Sequence, residues 1–193
     1  MKTNQLMRYE LIVSELKKGN IIEFGSGTGD LNKYLKRSGD VIGVDIIDSD
    51  NTDIIHNLNK FPYPIKSNYA DNIVAGEIIE HLKNPLEFLI ECNRILKSDG
   101  RLIITTPNMT GLQYLLNIWK NTEESNLNHL YAWNQELFNE LAKTTKFKIS
   151  KKRLITTMWN RNILCRLICF MIPNIRTTMF FVLEKDRKTW KNE

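Results

Sequence analysis

The chain has 193 residues, 42% of them apolar, a length that suits one domain with a sizeable buried core. No stretch approaches the roughly 18 uninterrupted apolar residues of a membrane span, and the polar opening MKTNQLMRYE lacks the apolar centre of a secretory signal, so the sequence predicts a cytoplasmic protein. Three cysteines, Cys92, Cys165 and Cys169, exclude a disulfide framework and a CxxC pair of zinc ligands, and read as small core or interface residues. The formal charge of +5 is unevenly spread: residues 143–193 hold 13 Lys/Arg against 3 Asp/Glu, a net +10, which leaves −5 for the rest. Such a basic stretch either attracts phosphate-bearing partners or is a set of lysines on solvated faces.

In chain order, strand-like and helix-like segments alternate. QLMRYELIVSELKK has helical apolar spacing, NIIEF is a short β-rich run, DLNKYLKR is helical, and DVIGVD is a buried strand. DIIHNL and YADNIVA, ending at Ala75, read as two further strands. NPLEFLIECNRILK has a helix start, with Asn84 as cap and Pro85 at the first helical position, and is followed by the turn SDG and the strand RLIITT. After Pro107 the pattern changes. GLQYLLNIW and NQELFNELAK are helical, KFKISKKRL and TTMFFVLEK alternate like paired edge strands, and RNILCRLICFMIP lies between them. Parallel strands need crossover connections, so this order predicts an α/β fold: a Rossmann-like, seven-stranded, mostly parallel sheet with helices on both faces and a C-terminal antiparallel hairpin.

IIEFGSGTGDL places Gly25, Gly27 and Gly29 between a strand and a helix, where ligands lie at the carboxyl end of a parallel sheet. Asp30 stands where a dinucleotide fingerprint would put its last glycine, which argues against a pyrophosphate, and the absence of GK[ST] excludes a P-loop. Sixteen residues past Gly29, the strand VIGVD ends in Asp45, placed to accept hydrogen bonds from ribose hydroxyls.

From about Ile21 to Asn108 the sequence resembles the class I S-adenosylmethionine-dependent methyltransferases. EFGSGTG is similar to their first motif, VIGVD to their second, ADNIVAGEIIEHL to their fourth, and RILKSDGRLIITTPN to the following helix and strand. The resemblance implies S-adenosylmethionine as cofactor. It puts Glu23 beneath the glycine loop near the methionine ammonium, the backbone of Gly25 and Gly27 against the methionine and ribose, and Asp45 on the ribose. Asn57 and Leu58 stand where the family often has Asp-Leu beside adenine, and Ser26, Gly29, Ile46 and Gly76 complete the expected cofactor-binding set.

AGEIIEHLKNP puts Glu77, Glu80 and His81 within five positions, directly after a strand. On a helix these positions share one face, although an acidic first turn that favours the helix dipole is the plainer explanation. Downstream, NHLYAWNQELF supplies His129; a lone histidine is ordinarily a structural hydrogen-bonder. The order E-x-x-E-H, then H-x-[FY]-x-W, is similar to the divalent-metal site of the small-RNA 3′-terminal ribose 2′-O-methyltransferases, and E-x-x-E-H also resembles the ubiquinone-pathway O-methyltransferases. The resemblance makes Glu77, Glu80, His81 and His129 candidate metal ligands, a donor set that suits Mn²⁺, Fe²⁺ or Zn²⁺ better than Mg²⁺. The competing reading is catalysis without metal, with His81 as general base next to Glu80. An alcohol must lose its proton or have its pKa lowered before it attacks, so both readings predict methyl transfer to oxygen.

The expected organisation is a single domain over 1–193, with substrate-covering segments at about 109–135 and 155–176. The run MWNRNILCRLICFMIPNIR, carrying Arg161, Arg166 and Arg176, reads either as a lid helix or dimer contact, or as an interfacial helix touching a membrane through 161–176. Small-molecule, glycan and lipid-linked acceptors fit this reading, and the chain carries no further module for RNA, the alternative acceptor. A non-catalytic S-adenosylmethionine-binding regulatory or scaffold subunit is the competing function, against which the joint presence of Glu77, Glu80, His81 and His129 speaks.

Overall fold

The computed structural model describes residues 4–27, 29–119, 128–156 and 163–186. Its centre is a seven-stranded sheet of β1 (Ile21–Phe24), β2 (Val41–Asp45), β3 (Ile54–Ile55), β4 (Ala70–Gly76), β5 (Leu96–Pro107), β6 (Phe147–Ile155) and β7 (Thr178–Lys185). The spatial order is β3-β2-β1-β4-β5-β7-β6. The first five strands pair in parallel, and β7 inserts antiparallel between β5 and β6. The expected Rossmann-like sheet with a terminal antiparallel hairpin is therefore the observed one. The strand order reverses between β1 and β4, the place where a crevice opens at the carboxyl ends of an open parallel sheet.

Alternation along the strands builds two cores. Ile22, Phe24, Ile73, Ala75, Leu102 and Ile104 face helices α3 (Pro85–Ile95) and α5 (Gln135–Thr144), where Phe88, Cys92 and Phe138 close the layer. Ile21, Val74, Ile103, Phe180 and Val182 face α1 (Asn4–Ser14) and α2 (Asp30–Leu35) through Tyr9, Ile12, Leu31 and Leu35. Strands buried on both faces read as continuous apolar runs, which is why they stand out in the sequence. Phe138 stacks on Phe181 with ring centroids 4.2 Å apart, fixing α5 over the antiparallel end.

Several boundaries differ from those the sequence suggests. Of DIIHNL only Ile54–Ile55 pair, and α1 stops at Ser14. Asn84 does cap α3, accepting the Glu87 N–H, with Pro85 behind it. The helix ends at Ile95, though, and the strand begins at Leu96, so the SDG turn becomes part of an irregular start to β5. Cys92 and Cys169 are buried, as expected; the Cys165 and Arg166 side chains and Arg161 lie outside the described residues. Of the two expected covering segments, α4 (Leu112–Trp119) and α6 (Ile163–Met171) are helical, while 120–127 and 157–162 fall outside the described residues. Among the described residues no helix is long and apolar enough to cross a membrane.

At the end of β5 the chain is tied to the segment entering β7. Asn108 is fully buried, and its side-chain N–H groups donate to the carbonyls of Asn174 (3.0 Å) and Arg176 (2.8 Å). Its oxygen accepts from the Thr110 N–H (3.2 Å) and hydroxyl (2.9 Å). Removing the amide breaks four part-buried bonds and takes from the Arg176 carbonyl and the Thr110 N–H their Asn108 partners, while the Thr110 hydroxyl keeps its bond to the Asn174 carbonyl (3.3 Å). Asn108→Ala should therefore cost about 2–4 kcal/mol of unfolding free energy, read from urea denaturation.

Candidate functional site

The glycine loop leaves β1 under tight constraint. Gly25 has φ +79°, and a Cβ there would fall 2.2 Å from the Ile78 side chain. Gly27 has φ +40°, and a Cβ on it would meet nothing closer than 3.8 Å, so one face of the loop backbone is open to a ligand. Both polar groups of Gly27 are held: its N–H donates to Asp45 Oδ2 (2.7 Å), and its carbonyl accepts from the Ser49 hydroxyl (3.0 Å). Asp45 Oδ1 accepts from the Ile47 N–H (3.0 Å). With one bond on each oxygen, the carboxylate keeps lone pairs for further donors.

The other expected nucleoside residues divide. Ile46 is exposed just past Asp45 and offers an apolar surface. Gly76, at the end of β4, faces Leu31 and the Thr105 hydroxyl. Gly29 has a packing reason of its own, because Asn51 fills the place of its missing side chain. Ser26 is buried, with its hydroxyl 3.4 Å from that of Thr52. Asn57 spends its side-chain oxygen on the Asn59 N–H (2.9 Å), and Leu58 is buried in the core with its carbonyl accepting from the Tyr63 hydroxyl (2.8 Å). The amide N–H groups of Asn57 remain as donors.

Glu23, buried in β1, accepts from the Asn32 side-chain N–H (2.8 Å). Burial pushes its carboxyl up to about 7, against which the Asn32 bond works only in part.

After β4 the structure departs from the helical face expected for Glu77, Glu80 and His81. Glu77 takes a left-handed φ of +58°, and Ile79–His81 form a single 3₁₀ turn, so the three side chains do not share one α-helical face. Glu77 turns toward α1, where Arg8 Nη1 lies 3.1 Å from its Oε1. Glu80, His81 and His129 do converge, with one donor atom of each within 4.8 Å of the others. Backbone bonds bring His129 there: the Glu80 carbonyl accepts from the N–H groups of Leu130 (2.8 Å) and Tyr131 (3.2 Å), and the Met109 N–H donates to the Trp133 carbonyl (2.9 Å). The His81 and His129 rings meet edge to face at 4.6 Å.

The donor set fits a divalent cation. His81 Nδ1 lies 2.9 Å from the Asn128 carbonyl, which can only accept, so in the neutral ring Nδ1 carries the proton and Nε2 keeps the lone pair, 3.9 Å from Glu80 Oε1. Glu80 Oε2 accepts from the Thr106 hydroxyl (3.0 Å), whereas Oε1 is buried without a hydrogen-bond partner. Burial first, and the Glu77 charge second, push Glu80 up to about 8. Burial and the neighbouring His81 push His129 down, toward the neutral imidazole that ligation requires.

Three contributors are hard to see in the sequence. Thr106 and the Asn128 carbonyl orient Glu80 and His81. Arg8 had a signal, since it sits one helical turn before the fully buried Ile12 and next to the buried Tyr9, a charge on the apolar stripe of α1. Among the described residues, the buried polar atoms lacking a hydrogen-bond partner belong to Arg8, Asn32, Glu77, Glu80, Thr105 and Trp133. Each of these residues either stands at the carboxyl end of β1, β4 or β5 or bonds to one that does. Such groups ordinarily meet a ligand or water.

Residues 6–152 match the model of a family described as a methyltransferase domain. The chain belongs to this methyltransferase family. It is similar to the mitochondrial ubiquinone biosynthesis O-methyltransferase of Bos taurus, 33% identical over 115 residues, which cover 51% of this chain and 31% of that one. Its fold is that of a SAM-dependent methyltransferase from Archaeoglobus fulgidus, at TM-score 0.70 and 18% identity over 95% of both chains. The small RNA methyltransferase HEN1 shares the fold at TM-score 0.68 and 17% identity, over 95% of this chain and 25% of that one. The chain spans only part of the curated relatives it matches, for example 31% of the Bos taurus protein and 42% of a Mycolicibacterium smegmatis one.

Glu23 makes a pH prediction for this chain. The folded chain holds the proton to about pH 7, while an unfolded chain releases it near 4.5, so this group's contribution is full below pH 4.5 and is lost as pH rises to about 7. Glu23→Gln removes that loss. It should match the parent near pH 4.5 and exceed its stability at pH 8 by something on the order of 3 kcal/mol, in urea denaturation at the two pH values.

Proposed function

We propose that this methyltransferase moves the methyl group of S-adenosylmethionine to a hydroxyl oxygen of a small-molecule, glycan or lipid-linked acceptor. The observation that carries the oxygen assignment is the convergence of Glu80, His81 and His129 on a buried carboxylate oxygen without a hydrogen-bond partner, next to the glycine loop. An alcohol is a poor nucleophile until its proton is removed or its pKa lowered, and such a cluster can do either.

S-adenosylmethionine supplies an electrophilic methyl on a sulfonium. The backbone of Gly25 and Gly27 would line it, Asp45 would accept from its ribose hydroxyls, and Ile46 with the amide of Asn57 would border its base. Glu23 would answer its ammonium and Arg8 its carboxylate, which gives the partnerless Nε of Arg8 an acceptor and releases Glu77. A divalent metal, when bound, supplies Lewis acidity that lowers the pKa of a nearby hydroxyl. Glu80, His81 and His129 would hold it; Glu77, paired with Arg8 in this structure, would join the ligand set by turning away from α1 once released.

His81 also supports a second reading, because its Nδ1–H is fixed on the Asn128 carbonyl and its Nε2 keeps a lone pair that can take the acceptor proton directly. Titration of the chain with Mn²⁺ separates the two. With a metal site, Glu80→Gln and His129→Ala each weaken Mn²⁺ binding at least about tenfold, and activity removed by a chelator returns with Mn²⁺ more readily than with Mg²⁺. With His81 as the base, no Mn²⁺ heat is seen, the chelator has no effect, and His81→Ala alone lowers the rate roughly 10²- to 10⁴-fold.

The cofactor assignment has its own test in calorimetry. Asp45→Ala should weaken S-adenosylmethionine binding by about 1.5–3 kcal/mol, the range for hydrogen bonds to a charged group. Unchanged affinity would remove Asp45 from the site.

A further inference from the structure

Seven of the thirteen large apolar side chains that stand exposed among the described residues lie on three segments at the carboxyl end of the sheet, beside the Glu80, His81 and His129 cluster. Helix α6 and its continuation supply four of them, Leu167 (54% exposed), Phe170 (77%), Met171 (78%) and Ile172 (52%). Met109 follows β5, and Leu130 and Tyr131 directly follow His129. The segments are bound to one another at this end. Asn108 holds the Asn174 and Arg176 carbonyls, Met109 bonds Trp133, and Leu130 bonds Glu80. An exposed apolar group of this kind on a folded chain marks a surface that something covers.

Charge selects the occupant. The Arg176 guanidinium donates to the Cys169 carbonyl in α6 (3.3 Å) and to the Leu154 carbonyl in β6 (3.0 Å), so the end of α6 stands at the end of β6. Just before Leu154, Lys152 and Arg153 are exposed. The segment as a whole is strongly basic, with 13 Lys/Arg against 3 Asp/Glu in residues 143–193. A two-fold contact between copies would set this face against itself and bring the cationic ends of β6 together. An anionic bilayer takes both features at once, the apolar side chains below the headgroups and the cations at them.

We propose that this face docks on an anionic phospholipid bilayer, with Phe170 and Met171 inserted, Lys152 and Arg153 among the headgroups, and the cluster's mouth next to the lipid. Docking rests on the patch and its charge alone. That it presents a membrane-resident acceptor to Glu80, His81 and His129 rests on the methyltransferase reading above.

Flotation of the full chain with lipid vesicles at low salt tests it. The chain is expected to float with phosphatidylglycerol-containing vesicles and to stay in solution with pure phosphatidylcholine. Phe170→Ser with Met171→Ser should cut retention about tenfold or more, the loss expected from two inserted side chains. Lys152→Glu with Arg153→Glu should weaken retention and flatten its dependence on salt. Both double variants replace exposed side chains, and both should keep the parent's thermal midpoint and S-adenosylmethionine binding. Loss of cofactor heat in the parent with flotation intact would sink the methyltransferase reading and leave the docking surface standing. Three results would overturn the proposal: no flotation at low salt, flotation that neither double variant changes, or a vesicle-free dimer that Phe170→Ser with Met171→Ser splits.

Discussion

The close approach of Ile78 to Gly25 organises this end of the molecule. Ile78 occupies the space that a side chain on residue 25 would need, so the loop after β1 and the turn after β4 lean directly on each other. This contact exists because β1 and β4 are neighbouring strands, and it stands where the strand order reverses. On one side of the contact stand Gly27 and Asp45, and on the other Glu80 and His81. A nucleoside bound to the first and an acceptor bound to the second would be held a fixed distance apart by packing, without a hinge between them. Orientation of two reactants is the part of a transfer reaction that a rigid scaffold supplies most directly.

Glu80 links backbone and side-chain chemistry in one residue. Its carbonyl receives two N–H groups from the segment carrying His129, while its carboxylate sits against Thr106. The residue that draws the second imidazole into place is thus the one whose charge that imidazole would share. The buried carboxylate is costly in isolation, and the surrounding polar groups satisfy only one of its oxygens. Such a group ordinarily meets a ligand or an ordered water.

Much of this was legible in the sequence, for definite reasons. β1, β4 and β5 are covered on both faces, so their apolar runs and the glycines after Phe24 announced a parallel sheet and its ligand end. The Asn84–Pro85 helix start was equally plain, because a cap is a local device. What the sequence hid depends on backbone conformation or on distant partners. Nothing in E-x-x-E-H foretold that Glu77 would adopt a left-handed φ and meet Arg8, which breaks the helical face the spacing suggested. Likewise the Leu58 side chain lies in the core, so only its main chain is placed to border a base, as the resemblance implies for the Asn57–Leu58 pair. His129 could be paired with His81 only through resemblance, since 47 residues separate His81 from Asn128, whose carbonyl orients it.

The two margins of the sheet carry a different consequence. On one side β3 pairs over two residues only, and on the other β6 presents Lys148, Lys151, Lys152 and Arg153, with a bulge between Ile149 and Lys151. A strand that short, or that charged and kinked, is a poor template for a strand from another molecule. Crowded copies of this chain therefore lack a straight, apolar ladder on which to extend the sheet, and fibrillar association through its edges is disfavoured even while the apolar tip of α6 stays exposed.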